Sequence, residues 1–186
     1  MRAKFKRDRV RFHRALNSDG VAVASLSAHC EAGREADARA FHAVMEHIRQ
    51  VDAEQETILA IQVENEPGYA ARTPVDYGPD GQRALRQRVP KAVLDFIEGE
   101  GEGSEYEAFV QNGCRRDGDW VETFGKRGYD LCTAYGVATW IDYVAMRGKQ
   151  ACTARRRTPD ALWTLIWRIQ KSRSNCRTAV FSLIST

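Results

Sequence analysis

Between residues 31 and 51, apolar side chains recur at three- and four-residue steps: Ala36, Ala40, Phe41, Val44, Met45, Ile48 and Val51. Arg34, Glu35, Arg39, Glu46 and Arg49 fall mostly elsewhere, so the spacing predicts an amphipathic helix of about five turns. A polar turn over 52–56 follows. Thr57-Ile58-Leu59-Ala60-Ile61-Gln62-Val63 is then a mostly apolar, β-branched run of strand length, closed by Pro67-Gly68. Helix, turn and buried strand together predict an αβ unit, the repeating element of parallel α/β folds.

The flanking pattern is less regular. Residues 1–20 are basic and polar and end in the turn signal Asn17-Ser18-Asp19-Gly20, after which 21–26 is apolar and reads as a strand or a pairing loop. Residues 69–82, with Pro74, Gly78, Pro79 and Gly81, read as a long loop, and 92–97 as a short amphipathic stretch. The Glu/Gly alternation of 98–104 predicts a flexible acidic linker. A short helix over 105–111, a turn over 113–118 and a compact segment over 119–125 precede a second long helix over 129–146. Its apolar face is Leu131, Tyr135, Ala138, Ile141, Val144 and Ala145, and Gly148 is its expected stop. There is no internal repeat.

Composition narrows the class. The chain has 186 residues, 43% hydrophobic and 28% charged, with mean hydropathy −0.50; this is a soluble globular composition of one ordinary domain's length. No apolar run approaches the roughly 20 residues of a membrane helix, and the basic N-terminus is followed by no apolar signal region, so the cytoplasm is the default expectation. Five scattered cysteines without a C-x-x-C pair predict reduced thiols rather than a disulfide framework or zinc ribbon. His42 and His47, five apart in one helical pattern, do not share a face, so no metal site is expected. The net charge of +3 is polarised. Residues 1–14 carry seven Lys/Arg against Asp8, and 145–186 carry nine against Asp160. Residues 15–144 hold twelve basic against twenty-three acidic side chains. An acidic body with basic ends argues against a nucleic-acid-binding domain, whose positive charge concentrates on its folded face.

The constellation with chemical content is Gln62-Val63-Glu64-Asn65-Glu66-Pro67-Gly68, at the carboxyl end of the predicted strand. Carboxylates beside an apolar run are costly unless paired, hydrogen-bonded or protonated. In parallel α/β architectures, polar residues at strand C-termini build the active site. A partly desolvated glutamic acid has a raised pKa suited to protonating a leaving group near neutral pH.

The two segments 40–52 and 57–68, from Ala40-Phe41-His42-Ala43-Val44-Met45-Glu46 through Gln62-Val63-Glu64-Asn65-Glu66, resemble the helix-3 to strand-4 region of bacterial β-galactosidase-like glycoside hydrolases of the family 35 type. Residues 6–15, 27–37, 89–91, 118–125 and 143–149 resemble further segments of that family in the same order, so the likeness covers about residues 4–150. It implies a partial (β/α)8 TIM barrel, comprising helix 3, strand 4 and the insertion after it, in an α/β fold that is not a complete barrel. It also implies a retaining two-carboxylate mechanism on a β-galactoside-like carbohydrate, without metal or organic cofactor. Glu66 takes the role of general acid/base, Asn65 that of hydrogen-bonding the sugar 2-hydroxyl, and Glu64 and Gln62 those of substrate-contacting or supporting groups. Trp120 reads as core or interface before sugar platform.

The resemblance also implies what is missing. Retention needs a nucleophilic carboxylate about 5–5.5 Å from the acid/base, which the family draws from strand 7, and a whole barrel takes about 250 residues. Residues 1–150 therefore read as part of a catalytic domain. Residues 151–186, dense in Arg with Trp163, Trp167 and Cys176, read as an atypical basic tail of frame-shifted character. Cys30, Gly33 and Pro67 depart from the family pattern. The expectation is a truncated hydrolase inactive by itself. The alternatives are a hydrolase completed by another chain and a basic-tailed nucleic-acid or partner-binding protein.

Overall fold

The computed structural model describes residues 8, 10–55, 57–58, 61–64, 67 and 75–153. They form a mixed α/β structure that is mostly helical. Strands β1 (Arg14–Leu16) and β2 (Ala22–Leu26) pair antiparallel, with Arg14 opposite Leu26, Leu16 opposite Ala22 and an irregularity between. The turn joining them is held by Asn17, whose Oδ1 accepts the amides of Asp19 and Val21 at 3.1 and 2.8 Å. Of the two readings of 21–26, the strand is the one observed.

Helix α1 spans Glu31–Val51, as its periodicity predicts. After a connection come α2 (Pro79–Leu85), α3 (Lys91–Glu100), α4 (Ser104–Gln111), α5 (Trp120–Phe124) and α6 (Arg127–Thr153). Their apolar faces meet in one core built from Leu85, Val93, Leu94, Ile97, Phe109, Trp120, Phe124 and Leu131. Ring pairs Trp120–Tyr135 and Phe109–Phe124 sit at centroid separations of 5.5 and 5.9 Å, within the range of favourable aromatic packing. Trp120 is 2% exposed, so it is a core residue and not a sugar platform. Helix α5 starts on a capping box: Asp119 accepts the Val121 and Glu122 amides while Glu122 accepts the Asp119 amide at 2.9 Å.

Helices α1 and α6 lie side by side. The contacts advance together along both: Gly33 meets Trp140, Asp37 accepts from Trp140, Glu35 bonds the Tyr143 hydroxyl, His42 donates to the Arg147 carbonyl at 2.8 Å, and Phe41 and Met45 meet Gly148. The two helices therefore run parallel. Gly148 is not a helix stop: a Cβ there would lie 2.6 Å from Phe41 Cδ1 and 3.2 Å from Met45 Cγ, so its missing side chain lets the helices approach while α6 continues to Thr153.

Four further expectations change. The 98–104 stretch is not a long linker, because α3 runs to Glu100, ends on left-handed Gly101 (φ 64°), and α4 begins at Ser104. The 69–82 loop gives way to helix at Pro79, a favoured first helical residue. The α1 face is rotated: Gly33, Ala38 and Met45 are buried, whereas Val44 and Val51 are 51% and 59% exposed. Finally, among the described residues of 57–63 there is no sheet ladder, and the β1–β2 hairpin is the sheet of the described residues. The local cause is visible. The amides of Thr57 and Ile58 are donated to the buried Asp52 carboxylate at 3.0 and 2.9 Å, and Thr57 Oγ1 bonds it as well, so the first donors of the run are consumed in the turn. No barrel is closed among the described residues.

Candidate functional site

Of the four residues singled out at the strand end, Gln62 and Glu64 are described, while Asn65 and Glu66 lie outside the described residues. Gln62 is exposed and folds back on its own segment, its Nε2 donating to the Glu64 carbonyl at 2.8 Å.

Glu64 is engaged by α1. Its carboxyl hydrogen-bonds Asp37, and Asp37 in turn accepts the Trp140 indole N–H of α6 at 2.8 Å. Two carboxyl groups in contact cannot both ionise cheaply. Burial, then the Asp37 charge and hydrogen bond, push Glu64 up to about 7. The arrangement stores a proton near neutral pH at the end of the 57–64 run, with Trp140 fixing the acceptor. Asp37 and Trp140 are the partners that sequence reasoning missed. The available signal was the cost of Glu64 beside an apolar run, which demanded a partner without saying where it lay.

A cavity of about 410 Å³ opens between the N-terminal end of α1, α2 with the segment that follows it, and the N-terminal half of α6. His29 and Cys132 stand in its wall, with Nε2 and Sγ 3.9 Å apart. Burial holds His29 below its ordinary value and pushes the Cys132 thiol up to about 12, where Asp76 adds to the effect. At neutral pH this is a neutral thiol beside a neutral imidazole, the opposite of an activated nucleophile. Asp76 itself is buried and structural: its Oδ1 accepts the Leu16 and Gly78 amides at 3.0 and 2.8 Å, tying β1 to the start of α2. On the rim, His13 spends both ring nitrogens, Nδ1 on Asp80 and Nε2 on the Val10 carbonyl, each at 2.8 Å.

Among the described residues, no group of three His, Cys, Asp or Glu side chains is placed to hold a metal ion, and no helix is long and apolar enough to cross a membrane. No protein-family model matches the chain, and no curated protein matches it significantly.

Proposed function

We propose that the chain carries the acid/base side of a retaining β-galactosidase-like active site, on part of a (β/α)8 barrel, and that it is inactive alone. Hydrolysis then requires a nucleophilic carboxylate supplied by sequence outside these 186 residues. Glu66 protonates the glycosidic oxygen as the bond breaks and then activates water against the glycosyl-enzyme. Asn65 binds the sugar 2-hydroxyl, and Glu64 and Gln62 support the strand end.

The observation that carries the reading is the course of the chain around α1. Thr57 is anchored on Asp52 and Glu64 on Asp37. These anchors are about 22 Å apart along a helix rising 1.5 Å per residue, and the steps from 57 to 64 cover about 23 Å at strand rise. Thr57 thus lies at the C-terminal end of α1 and Glu64 beside its N-terminal part, the placement that a strand after a barrel helix would require. Parallel packing of α1 and α6 supports the same reading, because outer helices of a parallel barrel run in one direction.

The test starts from the encoding DNA. A barrel-like continuation is expected in another frame downstream of codon 150; joined to residues 1–150, it should hydrolyse a chromogenic β-galactoside that the present chain does not. Glu66→Gln in that joined protein should lower kcat/KM by about 10²–10⁴, the range of a general acid/base, with the smallest loss on substrates whose leaving group needs no proton. Absence of any such continuation, or full activity of the Gln variant, overturns the reading.

A further inference from the structure

The charge in the wall of the 410 Å³ cavity is unbalanced. Arg11, Arg34, Arg83 and Arg88 line it against two carboxylates, Glu31 and Asp80. Asp80 is already committed to Arg83 and His13. Among the described residues no carboxylate pairs with the other three arginines: Arg11 lies over the Phe12 ring, Arg34 over the Tyr143 ring, and Arg88 makes a long 3.4 Å contact to the Arg116 carbonyl. Four arginines against one uncommitted carboxylate, Glu31, leave the wall of this concave surface net positive and favour an anion. The start of α1 adds to this bias. It forms part of the same wall, and its N-cap residue Cys30 offers no side-chain acceptor to the first-turn amides.

We propose that this cavity binds a compact oxyanion ligand about one sugar ring in size, bearing a carboxylate or a phosphate, through Arg11, Arg34 and Arg88. The volume lies near the lower end of small-molecule sites, which run from about 300 to 1,000 Å³. Guanidinium groups match either anion by paired N–H donors. A cation is disfavoured by the arginines, and the neutral His29–Cys132 pair supplies wall and not charge. This inference does not rest on the hydrolase reading, since neither Gln62 nor Glu64 lines the cavity.

The experiment is calorimetric titration of the full chain with inorganic phosphate, galacturonate and, as a neutral control of the same shape, galactose. At least one anion should bind, should weaken about tenfold or more between low and high salt, and should outcompete galactose by a similar factor; whichever anion binds more tightly identifies the headgroup. The double variant Arg34→Gln/Arg88→Gln should lose about tenfold or more in anion affinity, the range expected for charge-assisted hydrogen bonds. A second readout needs no variant: the His29 ring resonances should shift on adding the binding anion and stay fixed with galactose. Equal binding of galactose and the anions, an unaltered double variant, or unshifted His29 resonances overturns the proposal. None of these outcomes touches Glu66, so its failure is distinct from that of the hydrolase reading.

Discussion

His13 and Glu64 make the stability of the protein fall as pH rises, for two different chemical reasons. The hydrogen bond and charge of Asp80 raise the His13 pKa above its ordinary 6.5. The bond to Val10 requires a second ring N–H, so the imidazolium is the form that fits. Its contribution is complete below 6.5 and is lost as pH climbs through the raised value. Glu64 keeps its proton up to about 7 in the fold but gives it up near 4.5 when unfolded. The folded chain therefore holds the extra proton between those values, and this contribution too is lost toward 7. The urea midpoint should decline from pH 5 to 8. Glu64→Gln, whose amide still donates to Asp37 and cannot ionise, should flatten the lower part of that decline and exceed the parent at pH 8. A midpoint constant across the range would refute both assignments. The sequence was informative here up to a point: Glu64 beside apolar residues needed a partner or a proton, and it has both. Its partner sits on another element, and residues 37 and 64 share no spacing rule by which to find each other.

Glycines separate helix from helix contact at the level of elements. A Cβ on Gly128 would lie 2.5 Å from the Trp120 carbonyl carbon and 3.0 Å from the Val121 nitrogen; these are backbone atoms that cannot swing aside. Gly99 in α3 has nothing within 4 Å. Gly128→Ala should destabilise by about 1–3 kcal/mol through overpacking despite its better helix propensity, whereas Gly99→Ala should stabilise by about 0.4–1 kcal/mol. Denaturant titration of both variants checks the pair, and an equal response from the two sites would mean that α5 and α6 are not so close. The same physics explains which elements could be read in advance. Helix α1 was legible to its last residue because periodicity acts locally. The Glu/Gly stretch was misread as a linker, since the packing of Ile97 and Phe109 into a common core shortens the connection to 101–103. Gly148 is not a stop, because its missing side chain serves the approach of Phe41 and Met45, more than 100 residues away in the chain.

Across the whole molecule, α1 turns some of its apolar side outward. Val44 and Val51 have the spacing of a buried stripe yet stand half exposed or more, as expected if this helix evolved to be covered by more of a barrel than the described residues provide. In the present chain Val44→Lys/Val51→Lys should leave the unfolding free energy within about 0.5 kcal/mol of the parent, the usual range for surface sites. In the joined protein proposed above, the same pair should cost measurably more. Equal small effects in both would argue that α1 has no missing neighbour. The mixed α/β class was legible in the sequence, but the strand expected over 57–63 forms no ladder among the described residues, because a strand is made by its neighbours and Thr57 and Ile58 spend their amides on Asp52.

The parallel pairing of α1 with α6 also governs how the chain reaches its fold. Trp140 to Asp37, Tyr143 to Glu35 and His42 to Arg147 close contacts across 103, 108 and 105 residues of sequence. The entropy of closing so large a loop is spent before any of these bonds repays it, so α1 docks late, onto a unit already formed by the more local contacts of α2 to α6. A protease cut in the short 101–103 connection would split that unit as well, and α1 would then meet α6 only as an encounter between separate fragments, dependent on concentration where the intact chain supplies a tether.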